Sequence, residues 1–144
     1  MKAKFVHESL EDILRPKSEE EIEQALKNLS PDEMLFKASK FGLANPVKKA
    51  LELGADVHAK NDQALLAASG NGKVEVVKIL LGAGANVHAY NDGALGQASV
   101  NGYVEVVKVL LGAGTDVHAY NDWTLRLASK YGHVEVVKVL KKYM

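Results

Sequence analysis

Apolar and polar positions recur along this chain with a period of 30 residues. Three segments set the pattern: VEVVKILL from Val74, VEVVKVLL from Val104 and VEVVKVLK from Val134. In each, apolar residues fall on one helical face and a Glu/Lys pair on the other, as Glu75 and Lys78 do. Ahead of each lies a second helical stripe, Leu65 with Ala68 in the first copy, Leu95 with Ala98 and Leu125 with Ala128 in the next two. Gly72 separates the two stripes and Gly84 follows the second, both at places where a helix ends on a left-handed residue. Each unit therefore predicts helix, tight turn, helix, loop. Asn61 or Asp62 is expected to cap the first helix with a side-chain oxygen. Val74, Val77, Ile79, Leu80 and Leu81 are expected to be mostly buried along the second.

A degraded earlier copy fits the same register. Leu35, Ala38, Ser39, Gly42, Val47, Lys48, Leu51 and Gly54 stand 30 residues before Leu65, Ala68, Ser69, Gly72, Val77, Lys78, Leu81 and Gly84. Four units result, 31–60, 61–90, 91–120 and 121–144, the first opening on a capping-box pattern at Ser30–Glu33 with proline at the first helical position. Residues 1–30 stand outside the repeat. A second capping box at Ser18–Glu21, followed by Ile22, Ala25, Leu26 and Leu29, predicts a helix over about 18–29 that covers the apolar side of the first unit. Ser9–Leu14 predicts a short helical turn stopped before Pro16, and Phe5, Leu10, Ile13 and Leu14 either pack on the capping helix or form a linear docking peptide.

One helix pair cannot bury its apolar face alone. Stacked copies bury it against one another as a solenoid, whose end units need a more polar outer side. Leu81 and Leu111 become Lys141 in the last unit, with Lys142 following, and Leu80 becomes Ala50 in the first. Both changes read as features of the ends.

These segments resemble the ankyrin repeat, with its TPLHxAA-type first helix, its G-H-L-E-V-V-K-x-L-L turn and second helix, and its G-A-D-V-N-A loop. Here G-[KYH]-V-E-V-V-K-[IV]-L-[LK] occurs three times in register, with G-x-x-V-H-A in the connecting loops, so the likeness covers residues 31–144. The resemblance implies an all-α fold, an ankyrin-type solenoid of stacked helix-turn-helix repeats. Two departures from the family pattern matter. The usual repeat has about 33 residues, and the deficit here falls between His58 and Leu65, which shortens the hairpin loop to a turn. TPLH is replaced by Gln63–Leu66, Gly93–Gly96 and Trp123–Arg126, so the bonds its Thr and His make are absent and Asn61-Asp62 takes over part of the capping. The shorter variety found in large tandem arrays is the nearer likeness.

Composition changes this picture little. Apolar content of 47% and charged content of 25% suit a soluble globular chain. A formal net charge of zero gives no bulk drive toward nucleic acid or an anionic membrane. Cysteine is absent, which removes disulfides and thiolate metal sites. No leader or spanning segment is apparent, so an intracellular, cytoplasmic protein is expected.

Differences between the copies mark the candidate chemistry. Val57/87/117, Ala59/89/119, Leu65/95/125 and Ser69/99/129 repeat, whereas Lys60/Tyr90/Tyr120, Gln63/Gly93/Trp123, Leu66/Gly96/Arg126, Ala67/Gln97/Leu127, Gly70/Val100/Lys130, Asn71/Asn101/Tyr131 and Lys73/Tyr103/His133 vary. The resemblance places these variable positions along the concave groove that binds partners. Tyr, Trp and Arg are enriched at interface hot spots. Tyr90, Tyr103, Tyr120, Trp123, Arg126, Lys130 and Tyr131 are therefore the candidate partner-binding residues, over units three and four, with Trp123 foremost because Gln63 and Gly93 fill its place elsewhere. The plainer reading of each ring is packing between repeats. His58, His88 and His118 form a ladder whose spacing does not meet the three or four ligands of a zinc site, so each is expected to bond loop backbone. His133 is also expected to be structural. No nucleophile–base set or phosphate loop stands out, so neither a catalytic residue, a metal nor a cofactor is expected. The partner expected is another protein, bound by a monomer. The alternatives are a module that associates end to end, or an adaptor using the N-terminal peptide as a second docking site.

Overall fold

The computed structural model describes residues 18–144, so the turn expected over Ser9–Leu14 and the docking peptide lie outside the described residues. The chain divides into two compact units between Ser30 and Pro31. In the first, α1 (Glu19–Leu26) opens on the expected capping box. The Ser18 hydroxyl accepts from the Glu21 amide at 3.2 Å, and the Glu21 carboxylate accepts from the Ser18 amide at 3.4 Å. The helix ends earlier than the sequence pattern suggested, and the Leu29 amide closes a turn on the Leu26 carbonyl at 3.1 Å.

In the second unit, helices come in pairs: α2 (Pro31–Phe41) with α3 (Ala44–Glu52), α4 (Ala59–Gly70) with α5 (Val74–Gly82), α6 (Ala89–Val100) with α7 (Val104–Gly112), and α8 (Ala119–Lys130) with α9 (Val134–Lys142). First helices pack on first helices and second on second, giving two layers. There is no strand among the described residues. Leu35, Leu65 and Leu95 are buried in the first-helix layer, and Leu80, Leu110 and Leu140 in the second. Along α5 the buried stripe is Val76, Val77 and Leu80. Val74, Ile79 and Leu81, expected inside, are half-buried, because the stripe that faces the stack advances by one and four residues from Val76. Ala50 is fully buried, so Leu80→Ala50 is a change of core size and not of outer polarity.

The start of each first helix also differs from expectation. No side-chain cap forms at α4 or α6. Lys60, Asn61 and Asp62 are all left-handed, at φ 53°, 59° and 60°, as are Tyr90, Asn91 and Asp92, and Asn121 with Asp122. Left-handed backbone costs an L-residue roughly 1–2 kcal/mol, and Asn and Asp tolerate it best. This turn carries the Asp62 carboxylate away from the amides of its own helix. It accepts instead from the Asn86 amide, in the loop that ends the same unit, at 2.9 Å. Asp32 accepts likewise from the Asp56 amide at 2.7 Å and Asp92 from the Asp116 amide at 3.3 Å. A carboxylate–amide bond thus ties the start of each of the first three units to the loop that ends it, and it offsets the burial of Asp62 and Asp92.

Candidate partner-binding surface

The turn aspartates also fix the histidine ladder. His58, His88 and His118 place Nδ1 at 3.0, 2.8 and 2.7 Å from the carboxylates of Asp62, Asp92 and Asp122. A carboxylate only accepts, so Nδ1 donates. The rings therefore bond side chains and not the loop backbone expected of them. Their own amides donate to Asp56, Asn86 and Asp116 two residues earlier, the bond of an Asx turn. His133 serves the stack: its Nε2 bonds the Val100 carbonyl at 2.8 Å and its ring lies across Gly102.

The candidate contact residues divide into two groups. Tyr90, Tyr103 and Trp123 touch the preceding unit. The Tyr90 hydroxyl donates to the Lys60 carbonyl at 2.9 Å, thirty residues earlier. The Tyr103 ring lies so close to Gly72 that a Cβ there would stand 2.6 Å from it, and Gly72 is left-handed at φ 72°. The Trp123 ring covers Gly96, where a Cβ would come within 3.0 Å. All three also keep a solvent-facing edge, so each ring both staples and presents surface. Arg126, Lys130 and Tyr131 are exposed, Tyr131 to 56%, with Lys130 Nζ 6.0 Å from the Tyr131 ring centre. Nothing is described of the Tyr120 side chain.

Arg126 and Lys130 occupy positions that in inner units meet the unit that follows. Their counterparts Leu66 and Gly70 face Gly93 and Gln97. They therefore belong to the end of the stack as much as to its first-helix face.

Two open hollows lie on the earlier units. One, about 510 Å³, is lined by residues including Asp32, Phe36, Lys37, Lys60 and Gln63. The other, about 440 Å³, is lined by residues including Phe36, Lys40, Leu66, Gln97 and Asn101. Asn101 reaches across the junction to the Gly70 carbonyl at 2.9 Å, whereas Asn71 bonds its own helix at Ala67. The sequence singled out none of these as contact residues. Leu66, Gln97 and Asn101 do stand at positions that vary between copies, and that was the available signal. Phe36 and Lys40 sit in the degraded first copy, where comparison between copies is weakest.

Among the described residues, no group of three or more His, Cys, Asp or Glu side chains is arranged to hold a metal ion. None of the described helices is long and apolar enough to cross a membrane.

Paired helices, a left-handed turn and a loop recurring in register make one repeat architecture. The family model for ankyrin repeats, in three copies, matches residues 35–121, more than half of the chain. The chain belongs to the ankyrin-repeat family. Comparison with curated proteins gives no match. Ankyrin repeats are generally protein–protein interaction modules. In this ankyrin chain the loop between units is a bare turn.

Proposed function

We propose that this chain is a non-catalytic scaffold that binds another protein through the first-helix and turn surface of its repeats. Tyr90, Tyr103, Tyr120, Trp123, Arg126, Lys130 and Tyr131 are the contact residues in this reading. The observation that carries it is a division of labour. Positions that repeat between units, such as Leu65/95 and Ala68/98/128, are buried. The positions that vary bear aromatic and basic groups in the last two units. Stability accounts for the first set, whereas the fold itself does not call for Trp123 where Gln63 and Gly93 suffice. The hollow bordered by Phe36, Leu66 and Gln97 continues this surface toward the first unit.

The test is site-specific photo-crosslinking in the native cell. A crosslinker at Gln97, on the first-helix face, captures a defined partner, and one at Lys108, on the second-helix face, does not. Tyr131→Ala combined with Trp123→Ala abolishes that capture, while Tyr131→Ala alone leaves thermal unfolding unchanged because the ring is largely in solvent. Capture from Lys108 instead, or capture indifferent to the double variant, rules the surface out.

A further inference from the structure

Each of the first three first-helix layers offers one apolar group at the same register. Phe36 and Leu66 stand thirty residues apart, both half-buried, and both border the hollow of about 440 Å³. Their next equivalent is Gly96, where the missing side chain is replaced by the Trp123 ring, which keeps a solvent-facing edge. The polar lining is mostly of one kind. The Gln63 and Gln97 carboxamides border the same hollow and form no hydrogen bond among the described residues. Asn101 spends only its Nδ2 on the Gly70 carbonyl. A carboxamide both donates and accepts, as a peptide backbone does. Lys40 is exposed beside them, and no carboxylate lines this hollow.

Spacing decides what fits along these layers. First helices pack on first helices here, and packed helices lie about 8–10 Å apart. A polyproline II segment brings the same face round every three residues, about 9.3 Å, so each of its turns meets one layer. A β-strand repeats its face about every 6.6 Å and falls out of step. An α-helix bonds its own amides and carbonyls and leaves the carboxamides nothing to bond, whereas a polyproline II backbone keeps these groups open. Proline pre-sets that conformation, which cuts the entropy lost on docking. Resting on the contact surface proposed for this chain, we infer that the partner presents a proline-rich segment in the polyproline II conformation, laid along the stack. Every third residue is apolar and meets Phe36, Leu66 and Trp123 in turn, the carboxamides bond its backbone, and an acidic residue lies beside Lys40.

Trp123 is the chain's single tryptophan, so its fluorescence reads the contact directly. The probe is a synthetic peptide of three Pro-Pro-Leu triplets flanked by glutamates, titrated into the full chain. Emission changes saturably, with an affinity about tenfold above that for a peptide of the same composition whose leucines are adjacent. Gln97→Ala, at an exposed position, weakens binding about fivefold, the worth of one hydrogen bond. Leu66→Glu weakens it by about tenfold or more, with an unchanged circular dichroism spectrum. Should Leu66→Glu misfold, Gln97→Ala decides. No saturation, equal affinity for the two peptides, or binding indifferent to Gln97→Ala overturns the inference. Mass spectrometry of the segment captured by the crosslinker at Gln97 separates the two readings. A captured segment without proline overturns this inference and leaves the contact surface standing, whereas no capture at all overturns the surface as well.

Discussion

Units three and four carry nearly the same framework in different surroundings. In the third, Leu95 and Ser99 are fully buried and the Asp92 carboxylate is almost enclosed. In the fourth, Leu125 is half-buried, Ser129 is exposed and the Asp122 carboxylate is 44% exposed. Helix lengths, the left-handed Asn-Asp pair and the His–Asp bond are shared by both. What differs is the presence of a unit stacked on the C-terminal side. Burial here belongs to the junction and not to the repeat, so one side chain is core in one unit and surface in the next.

The largest contrast is expected at the leucines. Leu95→Ala destabilises by about 3 kcal/mol in urea denaturation, through lost transfer energy and the cavity left behind, and Leu125→Ala by about half as much. Equal costs would show that the last unit is as enclosed as the third. Next come the turn carboxylates. Asp92→Ala deprives the Asp116 amide and the His88 ring of their acceptor and costs about 2 kcal/mol, whereas Asp122→Ala, with solvent at hand, costs under about 0.5 kcal/mol.

The serines sharpen the comparison with the opposite sign. The hydroxyls of Ser39, Ser69 and Ser99 are buried without a hydrogen-bond partner. Ser99→Ala therefore raises stability by about 1 kcal/mol, seen as a higher Tm, and Ser129→Ala leaves it unchanged. The smallest effect is expected on the outer face. The Glu105–Lys108 and Glu135–Lys138 pairs both measure 3.3 Å and both lie in solvent, so Glu105→Ala and Glu135→Ala each shift stability by less than about 0.5 kcal/mol. A difference between the two would tie the outer face to stacking after all.

Periodicity made the stack readable, because equivalent positions must meet equivalent neighbours. Leu65, Ala68, Leu80, the turn glycines and the Glu75–Lys78 pair all follow from spacing alone. The role of Asp62 did not, because a cap is a local bond and the one it makes reaches 24 residues along the chain, to Asn86. Only the left-handed turn directs it there, and three consecutive left-handed residues including Lys60 or Tyr90 carry no signature that a propensity argument recognises. The candidate contact residues were legible as variation between copies. Variation alone did not reveal that Tyr90, Tyr103 and Trp123 also fasten one unit to the one before it. Nor did it reveal that Arg126 and Lys130 stand at the end of the stack, because sequence spacing does not say which side of a helix meets the next layer.

The left-handed turn also constrains how such a chain diversifies. One residue gained or lost between His58 and Gln63 would rotate the following helix by about 100°. Leu65 would then leave its layer and Asp62 would miss the Asn86 amide. Length variants among relatives should therefore arise as blocks of thirty codons, duplicated or deleted intact, with single-codon insertions confined to regions outside these turns.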